Sequence, residues 1–283
     1  MKKQIITMLT ICCTLGGLFT ACNNADKTGE LKFSNTKVST IFHVFDDSAM
    51  PACFLNMKIE YAKKAINEEM KDCVNKYIIA SCLGSRYIDK QPEPAVQAYA
   101  DRYILEYRNT VEPMIRRDQD ENIDNPTLRD WYSYFMTVTG EVKYYQKNLL
   151  IYSTSYEEYA GSPDRIFNFN FLNLDLRTLT PIHLDDLFVE EYQEALTELL
   201  WNQLMVDNKV TTRQELEEMG YGSTSDLKPI DNFYLTPRGI TFHYNVYEIA
   251  PYAMGNVTIH IPYEQMEHIL SDDYAILQSI RKQ

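Results

Sequence analysis

The chain is short of glycine, of positive charge and of long apolar runs, and each shortage excludes something. Ten glycines stand in 283 residues, where average usage of about 7% would place roughly 20. Loops of backbone amides that cradle phosphate therefore have little to be built from. Lysine and arginine number 27 against 40 aspartates and glutamates, a formal net charge of −13. Neutralising nucleic-acid phosphates needs the opposite balance, so nucleic acid is not an expected partner. Beyond the N-terminal stretch no segment approaches the ~18 consecutive apolar residues of a membrane span. His43, His183, His243, His260 and His268 never stand three to five apart, so no local pair of metal ligands exists. What is present is globular composition, 45% hydrophobic and 24% charged, enough for two modest cores.

The search for catalytic signatures is equally bare. Asp118, Asp120 and Asn122 imitate the start of a calcium loop, but Ile123 stands where that loop needs glycine and Arg129 where it needs glutamate. No Gly-x-Ser-x-Gly elbow or phosphate loop occurs, and Gly220-Tyr221-Gly222 lacks the third glycine of a dinucleotide fingerprint. A non-enzymatic protein without cofactor or metal is expected.

The first residues read as an address. Lys2 and Lys3 precede an apolar run from Ile5 to Leu18, too short for a comfortable span, and small Thr20 and Ala21 come before Cys22. This resembles a bacterial lipoprotein signal of the Bacteroidetes type, with Phe19 in the place usually held by leucine. The alternative is an ordinary cleaved secretory signal with a chance cysteine. On the lipoprotein reading residues 1–21 are removed, Cys22 carries the lipid, and residues 22–36 form a polar tether. Loss of Lys2 and Lys3 with no acid takes the side-chain charge from −13 to −15. Multiple acyl chains give durable attachment, which places the protein in the cell envelope, on the outer side of one membrane. Periplasm and cell surface both satisfy this.

Export permits disulfides, and three cysteines follow Cys22: Cys53, Cys73 and Cys82. Ile66, Met70, Cys73, Tyr77 and Ala80 recur at helical spacing and predict a helix over Ala62 to Leu83. Within it Cys73 and Cys82 lie about half a turn out of phase and about 13 Å apart along the axis, so they cannot bridge. Cys53 opens a predicted strand, Phe54 to Tyr61. A helix packed back antiparallel to that strand returns Cys82 beside Cys53, which predicts a Cys53–Cys82 disulfide with Cys73 buried and free. Three reduced thiols are the alternative.

The fold expected is α+β: two small domains, each an antiparallel sheet packed against helices, over 37–158 and 159–283. In the first, Lys37 to Asp46 is a strand. A helix starting near Pro94 carries the stripe Val96, Tyr99, Tyr103, Tyr107 and Val111 and ends at Pro113. Trp131 to Gly140, Glu141 to Gln146 and Leu149 to Tyr156 read as antiparallel strands. In the second, Phe167, Phe169 and Phe171 alternate on one face, and Leu172, Leu174 and Leu176 follow in the opposite phase, which predicts a bulge at Phe171–Leu172. Asp185 and Asp186 suit the N-terminus of a helix running to about Asp207, with Leu187, Phe188, Tyr192, Leu196 and Leu199 buried. Phe233 to Thr236 and Ile240 to Asn245 form a hairpin about Pro237-Arg238-Gly239. Val257 to Ile261 is the last strand, and Ser271 caps a terminal helix.

One loop departs from this plain chemistry. Between Val246 and Asn256 the chain carries Tyr247, Glu248 and Tyr252 among Pro251 and Gly255, an ordered connection between two strands. A carboxylate among tyrosine hydroxyls can be aimed at a ligand, and Tyr247, Glu248 and Tyr252 are the candidate ligand-binding residues. The competing reading is a loop whose polar groups satisfy its own backbone.

The run Tyr244-Asn-Val-Tyr-Glu-Ile-Ala-Pro-Tyr-Ala-Met-Gly255, followed by Ile259-His-Ile-Pro-Tyr263, resembles a C-terminal domain shared by RsiV-type lysozyme-sensing anti-sigma factors and the non-catalytic region of PdaC-type peptidoglycan deacetylases. Leu174-Asp-Leu-Arg-Thr-Leu-Thr-Pro-Ile-His-Leu-Asp-Asp-Leu-Phe188 is similar to the strand-to-helix passage of that domain. The likeness spans roughly Tyr159 to Tyr263, and the first domain resembles the family's companion domain only in outline. Where the family often carries Gly-Gly-Ala-His, this chain has Ala160-Gly-Ser-Pro-Asp164, so a role for that histidine does not carry over. The resemblance implies a lipid-anchored envelope module that binds or senses a peptidoglycan fragment or a lysozyme-like cationic protein. Acidity would steer a cationic partner. The alternative function is an envelope glycan hydrolase with Glu248 as general acid and Asp231 as its second carboxylate.

Overall fold

The computed structural model of the protein describes residues 30–123, 130–146, 148–161, 164–271 and 275–281. The signal segment, Cys22 and most of the tether lie outside them. No described helix is long and apolar enough to cross a membrane.

Mixed α+β architecture is what forms. A six-stranded sheet runs β1 (Lys32–His43), β2 (Ala52–Lys64), β3 (Tyr134–Gln146), β4 (Leu149–Tyr159), β5 (Ile166–Asp175) and β6 (Thr180–Pro181) in that order. A second sheet holds β7 (Phe233–Leu235), β8 (Gly239–Tyr244) and β9 (Val257–Pro262). The large sheet departs from the expected antiparallel pattern at one place, since β2 and β3 are parallel. Parallel neighbours need a long crossover, supplied by α1 (Glu68–Leu83) and α2 (Pro92–Asp120). The sheet also continues through the expected domain junction at 158/159, where β4 and β5 pair over ten residues of register. β1 begins inside the expected tether, after a buried Leu31.

Strand β4 explains the join. Leu150 and Tyr152 point into a core formed with α1 and α2, while Leu149 and Ile151 point into the core beneath the second sheet. Alternate residues of a strand face opposite sides, so one strand serves both cores. The same geometry removes the predicted bulge. Phe171 pairs with Ser153 and Leu172 with Tyr152 without a register shift. The phenylalanines face the second sheet, and Leu172 and Leu174 face the helices. The change of phase in the sequence records a change in which face is covered.

Helix boundaries differ for identifiable reasons. α1 starts at Glu68, capped by Asn67 Oδ1 on the Met70 amide at 2.8 Å, and its buried side is Val74, Ile78, Ile79 and Cys82, rotated from the expected stripe. α2 continues through Pro113 because that ring is on the exposed side. The Asn109 carbonyl that loses its partner is exposed as well. Tyr107, Val111 and Ile115 stay buried on either side of it. The expected helix from Asp185 to Asp207 is two: α3 (Leu184–Leu187) and α4 (Gln193–Asn208). Between them the chain extends so that Val189 donates to the Ile269 carbonyl at 2.9 Å. Then come α5 (Arg213–Met219), capped reciprocally by Thr212 and Glu215, α6 (Tyr263–Met266) and α7 (Ala275–Arg281). Residues between Ser271 and α7 lie outside the described set.

The predicted Cys53–Cys82 disulfide is not formed; Cys53, Cys73 and Cys82 are free thiols. α1 does not run back along β2 but crosses the sheet. Asn75 in its middle holds the Ala62 amide and carbonyl at 2.8 and 2.9 Å. At its end Cys82 packs over Gly140, where an added Cβ would lie 2.6 Å from its sulfur. Cys53 pairs with Tyr134, six residues back along β3, about 20 Å away at ~3.3 Å per residue. Burial, with the charge of Glu158, pushes the Cys53 thiol up to about 12. Burial pushes Cys82 up to about 11 against hydrogen bonds from Thr154 and Tyr152. Neither is a nucleophile at pH 8. Iodoacetamide at that pH should leave both untouched in the folded protein and label both after denaturation. A linked 53–82 peptide in a non-reducing digest would contradict this packing of α1.

Candidate ligand-binding loop

The loop between β8 and β9 is built by its own side chains. Asn245 donates its amide to Glu248 Oε2 at 2.7 Å, and the Glu248 amide returns to the Asn245 carbonyl at 3.1 Å. Ten residues along, Asn256 Oδ1 accepts from the Val246 amide at 2.9 Å and closes the base. Ser225 Oγ caps the Glu248 carbonyl, and the Gly222 amide donates to the Ile249 carbonyl at 2.7 Å. Ile249 and Ala250 are buried, pinning the loop to the core.

On this frame Tyr247 is held outward. Its φ of 67° is rare for a residue with a Cβ, its ring is 50% exposed, and its hydroxyl donates to Asp164 Oδ2. The hydrogen bond to Asp164 raises the Tyr247 hydroxyl above the ordinary tyrosine value. Tyr252 lies 5.6 Å away, centroid to centroid. Beside the pair is a shallow depression of about 410 Å³ lined by Phe167, Val246, Tyr252, Met254 and Asn256. Tyr247 and Tyr252 are thus brought together as a surface aromatic pair. Glu248 is exposed, yet one of its oxygens is committed to the backbone turn.

Asp231 is placed elsewhere. Its Oδ1 accepts from the Leu184 amide at 3.0 Å and its Oδ2 meets His183 Nδ1 at 3.1 Å, so it caps α3. Asp186 accepts from the His183 amide at 2.8 Å, the capping use expected of the acidic pair, whereas Asp185 accepts from the Tyr192 hydroxyl at 3.0 Å. Among the described residues no group of three or more His, Cys, Asp or Glu side chains is arranged to hold a metal ion.

Three asparagines that the sequence did not single out attach the second sheet to the first. Beyond the short β6 pairing, no strand among the described residues forms a backbone ladder with the outer edge of β5, and β7 lies beside it in a separate sheet. The Phe169 amide donates to Asn245 Oδ1 at 2.7 Å and the Phe171 amide to Asn232 Oδ1 at 3.0 Å, while the Phe169 carbonyl accepts from Asn232 Nδ2 at 2.8 Å. Asn173 completes the seam, donating to the Phe233 carbonyl at 2.7 Å and accepting from the Leu235 amide at 3.1 Å. Side-chain amides here do the work of a ladder strand, satisfying backbone groups that would otherwise be orphaned.

Behind the seam sits His243, 7% exposed between Phe169 and Phe171, with Nε2 buried and unpartnered. Burial lowers its basicity, opposed by a hydrogen bond that the ring donates to Asn245. Burial and the charge of Arg238 lower His260 as well. Below the ordinary value of 6.5 the unfolded chain takes up protons that the folded one refuses, so stability is full above about 6.5 and declines as pH falls from there. Urea midpoints should drop between pH 7.5 and 5.5, and His243→Phe should shrink that drop. An unchanged slope in the variant would refute the assignment.

Fold and loop together define a two-sheet α+β protein that displays an aromatic pair on a rigid, self-satisfied loop. A profile of the DUF3298 family, described as a protein of unknown function, matches residues 185–264. A crystal structure of a DUF3298 family member from Bacteroides fragilis is 46% identical and superposes with a TM-score of 0.86, over 90% of this chain and 99% of that one. The chain belongs to the DUF3298 family. A DUF3298 protein from Pseudomonas aeruginosa shares the fold at 16% identity, with a TM-score of 0.60 over 87% of this chain and 96% of that one. No curated protein matches.

Proposed function

We propose that this DUF3298 protein is a lipid-anchored binding module of the bacterial cell envelope, tethered through Cys22 and without catalytic activity of its own. The ligand it fits best is a lysozyme-like cationic protein, with a peptidoglycan fragment as the other envelope component in view. The observation that carries the reading is the Tyr247–Tyr252 pair, an exposed ring against a half-buried one, on a loop whose backbone is already hydrogen-bonded. A preorganised aromatic pair gives contact area at little entropic cost, and the charge of −13 favours a cationic partner. Against the hydrolase alternative, Glu248 is committed to its own backbone turn and Asp231 to the N-terminus of α3.

The test has two arms. Radiolabelled palmitate should enter the wild-type chain and not Cys22→Ala; a soluble, unlabelled wild type ends the anchoring claim. Purified protein should be captured on immobilised lysozyme, less so as salt rises, and about tenfold less after Tyr247→Ala. Capture on sacculi alone would assign the loop to the wall instead. Turnover of muropeptides by wild type, abolished in Glu248→Gln, would establish the hydrolase.

A further inference from the structure

The face of the large sheet opposite α1 and α2 is covered by the second sheet over β4, β5 and the Tyr144 end of β3. Across β1 and β2 Ile41, Phe54, Asn56 and Lys58 are exposed among the described residues. Ile41 pairs with Phe54, Phe54 with Phe135 and Phe135 with Tyr159, so one apolar row crosses four strands. Ile41 is 59% and Phe54 43% exposed, and the Arg165 guanidinium lies 5.8 Å over the Phe135 ring. Two residues further along comes the hydrogen-bonding row Ser39–Asn56–Thr137, which ends on β4 at Glu157, where Arg165 pairs with the carboxylate at 3.3 Å. Beyond it Lys37 stands directly opposite Lys58.

That lysine pair is the telling feature. Like charges directly opposite across a strand pair are destabilising, and acids outnumber bases in this chain by 40 to 27. Among the described residues neither Lys37 nor Lys58 has a carboxylate within ion-pairing distance. A second copy laid face to face on this same patch would oppose lysines to lysines, and a cationic protein would likewise add positive charge. An anion relieves it. Flat aromatic and aliphatic surface, then amide and hydroxyl groups, then two cations is the order of chemistry along a carbohydrate strand bearing carboxylates: ring faces stack, hydroxyls hydrogen-bond, and the acid groups meet ammonium. We infer that this open sheet face is a docking surface for a carboxylate-bearing glycan strand, laid across β1–β3 from Phe54 to Lys58. The surface is separate from the Tyr247 loop and does not depend on the function proposed for it.

Isothermal titration with oligogalacturonate, chitohexaose and oligothymidylate as probes decides the matter. The carboxylated oligomer should bind, weakening as salt rises, and should bind at least about tenfold more weakly to Lys37→Gln/Lys58→Gln and to Phe54→Ala. Lys58→Arg should restore most of the affinity. The double glutamine variant should melt no lower than wild type, because a repulsive pair has been removed, which separates lost binding from lost folding. Absence of oligogalacturonate binding at millimolar concentration overturns the inference. So does equal binding of neutral chitohexaose or oligothymidylate, or affinity unchanged in the variants.

Discussion

Replacing Gly239 with alanine should destabilise the protein by about 3 kcal/mol or more, lowering the melting temperature by roughly 6–12 °C for a chain of this size. A Cβ at this position would collide with the Ile261 carbonyl and lie 2.9 Å from Pro262 Cα. All are backbone atoms of the neighbouring strand, which unlike a side chain has no rotamer to escape into. Gly239 starts β8 opposite Pro262, so relief means separating β8 from β9 at the place where the Tyr263 amide also returns to the Arg238 carbonyl, 3.1 Å away. Arg238→Ala, an exposed change one residue earlier, should stay within ~0.5 kcal/mol. If the two variants melt within 2 °C of each other, close backbone approach is not what glycine provides here.

Asn173→Leu should cost about 2–6 kcal/mol, since the Phe233 carbonyl and the Leu235 amide would each remain buried without a partner at about 1–3 kcal/mol apiece. The side chain is 2% exposed, so water has no ready access to replace it. Urea denaturation gives the magnitude, and hydrogen exchange gives the location: the Leu235 amide should lose protection more than the amides of β2. Asn170→Leu on the same strand, exposed, should be close to neutral. Equal losses in both variants would mean that strand propensity, and not the seam, governs the position.

Local signals in the sequence were reliable guides. The β7–β8 hairpin forms about Pro237-Arg238-Gly239, the stripe from Val96 to Val111 faces the core, and Asp186 serves the start of a helix. Signals that depend on which face is covered were not. Phe171 and Leu172 read as a bulge because a strand buried on both sides shows two apolar phases. α1 was rotated because Val74, Ile78 and Cys82 meet the sheet while Met70, Cys73 and Tyr77 only flank it. The Cys53–Cys82 pairing assumed an antiparallel return, whereas β2 and β3 run parallel and carry α1 across the sheet. At the candidate site the residue types were legible, while the approach of the Tyr247 and Tyr252 rings to 5.6 Å was not. The backbone duty of Glu248 is the competing reading of the loop as self-satisfied; which amide it holds, that of Asn245 three residues back, is set by a turn whose geometry has no sequence signature of its own. The asparagine seam joins positions some sixty to seventy-six residues apart, beyond the reach of any periodicity.

Because β4 lends alternate side chains to two hydrophobic clusters, the halves on either side of it are not separable parts. Leu150 and Tyr152 cannot leave their neighbours without dragging Leu149 and Ile151 out of theirs, so melting of one half carries the other with it. A gene cut between Tyr159 and Ile166 would give two fragments, each with an unclosed flank, and neither would be expected to stand alone. The molecule is better regarded as one cooperative body hinged on a common strand than as two beads on a thread.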